Sequence, residues 1–364
     1  MQMDDQSGRL LRDLAISLAS TAIFAGAAKL MTVVVIPPRF ATAPTWLLAT
    51  TTLTAAMVAF LIARRVTRGR PQAFVLISAF THTRFLASLL QELSRSLDRH
   101  GIDMVVRLPP HDQSGRIRSR QLAALQKRQH GYIGAFMAVT EPVDDGGELS
   151  QLARQMRIPL VFLDVRPFAH PTIYPAGSAF VGCDPEEIGQ KAADWMAREL
   201  TGRGRDDPLV LALGGDSQHG RQNRFEARLL ELLPKADVQM SRLGMFDRDL
   251  AQDIVAQRLR QADRRGEALD AIFCTNDEMA LGAADAILEH GRGCEAHRDL
   301  AVVGVDGTAE ARAAINTGAS PLRATIVQDT QRLAEIGVDT MLRLRAGRQV
   351  RRETLVPVDV YPVA

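Results

Sequence analysis

The run Leu269-Asp-Ala-Ile-Phe-Cys-Thr-Asn-Asp-Glu-Met-Ala-Leu-Gly-Ala283 constrains the fold of this chain more than any other stretch. Leu269, Ala271, Ile272 and Phe273 read as a buried strand. Thr275-Asn276-Asp277-Glu278 then breaks the apolar pattern, and Ala280, Leu281, Gly282 and Ala283 resume it as a small-residue helix. A strand that ends in a polar turn and opens a helix is where open α/β sheets place their ligands, outside the carboxyl ends of the strands. Asn276 falls on that turn, with an amide able both to donate and to accept hydrogen bonds.

The same alternation runs along most of the sequence. Strands are expected over Phe74–Ser78, Asp103–Leu108, Tyr132–Met137 and Pro159–Leu163, and helices over Phe85–His100, Arg118–Arg128 and Leu149–Met156. Gly101 stops the first helix in the usual C-terminal manner. A second series opens near Ala179–Gly182. Asp184-Pro185-Glu186-Glu187 is a complete helix start, with an N-cap aspartate, a proline at the first position and acids in the first turn. That helix is expected to reach Leu200. Leu209–Leu213, Ala271–Cys274 and Leu300–Val305 follow as strands. Short apolar strands alternating with helices make βαβ units and a parallel sheet.

With 364 residues, 46% of them hydrophobic, the chain can build two lobes of ordinary size and an additional segment. That segment is the first seventy residues. They carry eight Lys/Arg against three Asp/Glu, which leaves the remainder at a net −3. A mildly acidic body argues against nucleic acid as a partner. Cys183, Cys274 and Cys294 are too few for a disulfide framework and read as small apolar residues.

Residues 14–36 are almost wholly apolar or small, interrupted by Lys29, and residues 45–63 form a second run without charge. About 20 such residues span a bilayer as a helix. Pro37-Pro38 and Pro44 bound the short connection, so the pair is expected to form a transmembrane hairpin, residues 1–70 being a membrane anchor. Trp46 lies where an interfacial aromatic belongs. Arg9 and Arg12 precede the first run, and Arg64, Arg65, Arg68 and Arg70 follow the second, while the connection holds only Arg39. Positive-inside bias therefore puts both ends in the cytoplasm. An alternative is cleavage of the first run as a signal peptide near Ala25-Gly-Ala27. The body becomes periplasmic if one of the two runs does not span.

Several further segments, in order, carry a resemblance. TNDEMALGA at Thr275–Ala283, VVGVDGT at Val302–Thr308, RATIVQDTQRLAEIG at Arg323–Gly337 and LVPVDVYPV at Leu355–Val363 together resemble the type 1 periplasmic binding proteins, the ribose-binding group above all. The likeness covers residues 72–362. It implies two Rossmann-like lobes with parallel sheets joined by a three-stranded hinge. Lobe I would hold residues 71–183 and 329–356, and lobe II residues 184–328 and 357–364. It also implies a sugar or sugar-like ligand in the cleft, no cofactor, no metal and no catalysis.

Carried over by position, Asp164 resembles the family's first-lobe carboxylate. Arg221, one turn before Phe225, resembles its ligand arginine, with Asn223 or Arg224 as substitutes if the register slips. Phe246 resembles a ring-stacking aromatic. Asn276, Asp306 and Gln328 stand where the family has an amide, a second carboxylate and a hinge-side amide. The first loop, Ser78–Phe85, departs from the pattern: His82 takes the place of an amide, Arg84 that of an aromatic, and Phe85 is kept. Two readings follow. Either a ligand with an anionic group is held by Arg84 and Arg221, or Arg84 points to solvent.

Three kinds of function are consistent with these residues. A membrane-anchored solute-binding protein would deliver ligand to an ABC permease or a membrane sensor. A cytoplasmic-facing sensor would use the same cleft. The lactose-repressor type of regulator shares this core but needs a helix-turn-helix where the apolar hairpin stands. A glycoside-acting enzyme built on Asp164 and Asp306 is the third kind. The chain lacks a nucleophile elbow, a phosphate loop and an HExxH motif.

Overall fold

The computed structural model describes Thr54, residues 57–58, 70–77, 84–107, 126–138, 148–168, 170–215, 220–291 and 299–362. The chain divides into Met1–Gly69 and Arg70–Ala364. Nearly all of the first unit, with the expected hairpin, lies outside the described residues, as do His82 and most of the helix expected over Arg118–Arg128. Among the described residues, no helix is long and apolar enough to cross a membrane.

The second unit holds two six-stranded sheets. Strands β1 (Gln72–Ile77), β2 (Asp103–Arg107), β3 (Gly134–Ala138), β4 (Leu160–Leu163), β5 (Ser178–Gly182) and β11 (Glu353–Leu355) form the first, in the order β11-β5-β4-β3-β1-β2. Every pair in it is parallel. Strands β6 (Leu209–Leu213), β7 (Asp237–Ser241), β8 (Ala271–Cys274), β9 (Ala301–Asp306), β10 (Leu322–Val327) and β12 (Asp359–Tyr361) form the second, in the order β12-β10-β9-β8-β6-β7. There only the β10–β12 pair is antiparallel. Strands covered on both faces read as continuous apolar runs. Accordingly β3, β4, β8 and β9 are buried along their whole length.

The helices are α1 (Arg84–Arg99), α2 (Glu148–Gln155), α3 (Pro185–Gly202), α4 (Gly220–Leu232), α5 (Arg248–Arg265), α6 (Asp277–His290), α7 (Ala309–Thr317) and α8 (Thr330–Arg345). Their starts are set by side-chain caps, which satisfy otherwise orphaned backbone N–H groups. Asp184 accepts from Glu186 N at 3.1 Å, Asp247 from Leu250 N at 2.8 Å and Asp329 from Arg332 N at 2.9 Å.

The chain passes between the sheets three times: after β5, after β10 and between β11 and β12. The third passage differs from the expectation of one closing strand over Leu355–Val363. Glu353–Leu355 pairs with β5, and Asp359–Tyr361 pairs with β10. Buried Val356 and Val358 carry the chain across. The sequence reading expected no element at β7, α5 or α7, and it took the β10 and α8 stretch only as a family likeness. β7 is an edge strand with only half-buried residues, so it shows no apolar run. α5 buries just Ala251, Val255, Leu259 and Ala262, one narrow stripe in a charged helix.

In each sheet the order reverses beside the first strand, between β1 and β3 and again between β6 and β8. Ligands of open α/β sheets bind at such switch points. The approach of α3 to α4 positions one side of this region. A Cβ on Gly189 would lie 2.2 Å from the backbone oxygen of Arg221, so only glycine permits the contact. Phe225, one turn further along α4, stacks on Phe273 of β8 with ring centroids 4.3 Å apart. Replacement of Gly189 by alanine should force α4 outward and destabilise the protein by about 1–3 kcal/mol, the usual cost of overpacking. The change is read by denaturant unfolding. Gly202→Ala, where a Cβ meets nothing within 4 Å, should be close to neutral.

Candidate functional site

Most of the residues assigned to a ligand role gather at the carboxyl ends of the two sheets. Asp164 follows β4 directly, Asp306 is the last residue of β9, and Gln328 follows β10. Arg221 is the second residue of α4, and Asn276 precedes α6. Among the described residues, four non-glycine residues have positive φ: Asp164 at 73°, Met245 at 50°, Phe246 at 56° and Asp306 at 118°. Three of them are residues the sequence assigned to the site. Backbone held in such sparsely populated conformations concentrates at ligand clamps, where the surroundings over-determine it.

The electrostatics centre on one guanidinium between two carboxylates. Asp164 comes from the first sheet, Arg221 and Asp306 from elements of the second. Burial raises the pKa of Asp164, and the charge of Arg221 opposes the rise. Burial also raises Asp306 well above the ordinary carboxylate range. The charge of Asp277 adds to that rise, while Arg221 and the hydrogen bond from Gln328 oppose it. Gln328 Nε2 donates to Asp306 Oδ1 at 2.8 Å, and Arg221 Nη1 donates to the carbonyl of Thr275 at 2.7 Å. Asp164 Oδ1 is buried without a hydrogen-bond partner among the described residues. A buried acceptor left unmatched is costly, and the cost is removed when a donor arrives.

Phe246 forms one wall. Its ring lies over Gly215, where a Cβ would come within 2.4 Å of Cδ1. The ring is half-buried, beside the apolar cluster of the second lobe. Asn276 is almost fully enclosed. Its Oδ1 caps α6 by accepting from Met279 N at 3.0 Å, and its Nδ2 donates to the Phe246 carbonyl at 3.4 Å. It therefore fastens the Phe246 loop to the helix start. One N–H of its amide is left for other partners.

Phe85, kept in the altered first loop, is buried, 5% exposed, in the apolar core around β1, turned inward with Leu89 and Leu93 by the amphipathic α1. Arg84 keeps more than half of its side chain in solvent but carries ion pairs. Its guanidinium pairs with Glu278 of α6 at 3.4 Å and with Glu310 of α7. Glu310 also takes Arg248 at 2.8 Å, and Arg248 takes Asp285 at 2.7 Å. Arg84 belongs to the first lobe and its acids to the second, so this chain of charges bridges the two. The reading that assigned Arg84 to an anionic ligand loses its free cation.

Asp277 and Glu278 were expected to cap their own helix. Asn276 does so instead. Asp277 is fully buried and ties down the loop after β9: Thr308 N donates to Oδ2 at 2.7 Å and Thr325 Oγ1 to Oδ1 at 2.6 Å. Gly304 makes room for it, since a Cβ there would lie 2.4 Å from Oδ1. Thr275, Thr308 and Thr325 were not singled out from the sequence, where a threonine beside a strand end is unremarkable. The buried thiols of Cys183 and Cys274 are inert, and burial raises both; Cys183 is pushed up to about 12.

The two sheets and their helices make a two-lobed α/β body that sets an aspartate from each lobe toward one arginine. The chain belongs to the periplasmic binding protein domain family, whose pattern matches residues 98–349. It is 23% identical over 280 residues to a putative rhizopine-binding protein of Rhizobium meliloti, covering 76% of this chain and 84% of that one. It is 26% identical over 278 residues to a ribose import binding protein of Escherichia coli, covering 76% and 85%. The lactose operon repressor of Escherichia coli matches over 104 residues only, 27% of its length. Among solved structures, a periplasmic solute-binding protein from Actinobacillus succinogenes with bound D-allose aligns with TM-score 0.68 at 18% identity. That alignment covers 80% of this chain and 97% of the other. A solute-binding protein from Bacillus halodurans with bound myo-inositol aligns with TM-score 0.66 at 19% identity, covering 80% and 94%.

Asp277 also predicts a pH dependence. Burial pushes its pKa up to about 6 against the outward pull of its hydrogen bonds. The folded state then holds a proton that the unfolded chain has released. The stabilisation from this group is complete below the ordinary pKa of 3.8 and is lost as pH rises through 6. The melting temperature should therefore rise between pH 7.5 and pH 5.5, and Asp277→Asn should flatten that rise.

Proposed function

We propose that this chain is a binding protein for a neutral sugar or cyclic polyol, held in the cleft between its two lobes. The observation that carries this reading is the unmatched Oδ1 of Asp164, buried opposite Arg221 and Asp306. Ionised carboxylates accept strongly from hydroxyls, and a guanidinium fork donates to ring or hydroxyl oxygens. Phe246 offers an apolar face for the ring. Asp164, Asp306, Gln328, Arg221 and one N–H of Asn276 supply the polar contacts. Closure of the lobes on the ligand by hinge motion follows the behaviour of two-lobed binders. The D-allose and myo-inositol held by the two solved structures are neutral polyols, which supports the ligand class.

A sugar acid is disfavoured because Arg84 is already neutralised by Glu278 and Glu310, leaving Arg221 against two carboxylates. Isothermal titration with neutral aldoses, inositols and the matching uronic acids tests the ligand class. Neutral ligands should bind and the acids should not; binding of acids alone would overturn the reading. Arg221→Ala should weaken binding by about 10- to 100-fold, the usual worth of hydrogen bonds to a charged group. Arg84→Ala should leave the affinity for neutral ligands nearly unchanged.

The two apolar runs at residues 14–36 and 45–63 suggest a hairpin anchor in the inner membrane. The flanking arginines favour a cytoplasmic body, hence a ligand sensor that acts on a membrane partner. The relative named as an import binding protein favours a periplasmic body serving an ABC importer. A C-terminal reporter fusion distinguishes these settings: activity of a cytoplasm-only reporter selects sensing, and activity of a periplasm-only reporter selects uptake.

A further inference from the structure

In the first lobe every strand pair is parallel, so all its strands start, and its helices end, at the pole away from the cleft. That pole is basic. Arg70 precedes β1, Lys127 and Arg128 precede β3, Arg157 precedes β4, and Arg351 and Arg352 precede β11. Backbone hydrogen bonds knit these starts into one surface: Asp103 N to Pro71 O at 2.9 Å, Ile133 N to Gln72 O at 2.8 Å, Ala135 N to Pro159 O at 2.8 Å and Phe180 N to Arg352 O at 2.8 Å. The helix ends add Arg99, Arg154, Arg345 and Arg348, all exposed. Lys127, His130, Arg154 and Arg157 line an open polar groove. Acids here are few, and those present are paired: Asp98 and Asp103 with Arg70, Glu335 with Arg99 and Asp339 with Arg343.

The second lobe repeats the topology with mixed charge, its acids standing beside Arg205, Lys235, Arg264 and Arg265. Asp206 and Asp207 precede β6, Asp237 opens β7, Asp270 precedes β8, and Asp299 lies two residues before β9. The basic pole is therefore a property of the first lobe's sequence and not of the fold. Cations are favoured at helix C-termini in both lobes, but at the strand starts of the second lobe they are matched by aspartates, as Arg205 is by Asp270.

We infer that the basic pole of the first lobe docks on the anionic phospholipid headgroups of a membrane. The inference rests on the membrane-anchor reading of residues 14–63. β1 starts at this pole, and Arg64, Arg65, Arg68 and Arg70 lead into it directly in sequence. A basic surface that continues a juxtamembrane basic segment is attracted by the negative potential of anionic lipid, which acts within about one Debye length of the surface. A nucleic acid is a poorer occupant, since Tyr132 beside these cations packs inward against Phe74 instead of offering a free stacking face. Docking would hold the first lobe while the second stays free to close.

The test uses the full chain in nanodiscs of phosphatidylglycerol or of phosphatidylcholine, read by hydrogen exchange. Peptides covering Lys127–Tyr132 and Arg345–Arg352 should exchange several-fold more slowly in the anionic discs, and the difference should vanish at high salt. Peptides around Asp237 and Asp270 should not respond. A chain with Lys127→Glu, Arg128→Glu and Arg157→Glu should keep its melting temperature and lose the protection. Equal exchange in both lipids overturns the proposal, as does protection that appears only on adding nucleic acid. Alkaline carbonate extraction checks the anchor separately. If the chain washes off, the anchor reading fails, and flotation with preformed vesicles decides the docking: selective flotation with anionic vesicles supports it, and none overturns it.

Discussion

The structure turns on two carboxylates from opposite sheets, Asp164 and Asp306, buried around the single guanidinium of Arg221. Burying an ionised carboxyl is expensive unless it is paired and hydrogen-bonded. Here the pairing is incomplete. Asp306 has Gln328, but Oδ1 of Asp164 has no partner among the described residues. The left-handed backbone at both aspartates is a further cost that the surrounding strands impose. The proposed hydroxyl-rich ligand would relieve that cost.

The supports behind the site are as informative as the groups in it. Asp277 ties the loop after β9 to β10, Asn276 joins the Phe246 loop to α6, and Gly189 lets α4 approach closely enough to present Arg221. None of these side chains needs to be the main ligand contact for its loss to blunt binding. The Arg84–Glu310–Arg248 chain is different in kind. It joins the two lobes through partly exposed ions, each pair of which contributes little alone.

Much of this was legible in the sequence because parallel strands buried on both faces leave unbroken apolar runs. The Leu269–Ala283 stretch announced both the strand and the turn into α6, and Asp164, Arg221, Asp306 and Gln328 lie at strand ends and helix starts on the carboxyl side of the sheets. Among the elements that escaped, the edge strand β7 and the helices α5 and α7 have little to bury, while β10 and α8 were read only as a family likeness. Phe85 and Arg84 depend on more than their place in the loop. Sequence position locates a residue near the loop, but the amphipathic face of α1 decides that Phe85 turns to the core. Acids far away in sequence, Glu278 and Glu310, decide what Arg84 meets. The threonines that fasten Asp277 carry no pattern that distinguishes them from ordinary surface hydroxyls.

The most direct measurement is a double-mutant cycle on the dissociation constant of one neutral hexose or inositol that binds, using Asp164→Asn, Asp306→Asn and the pair. Each change should weaken binding by tenfold or more while the melting temperature holds or rises, because an uncomfortable buried charge is removed. The two effects should be non-additive, since both carboxylates act through the same ligand and the same Arg221. An unchanged dissociation constant in both single variants would contradict the account.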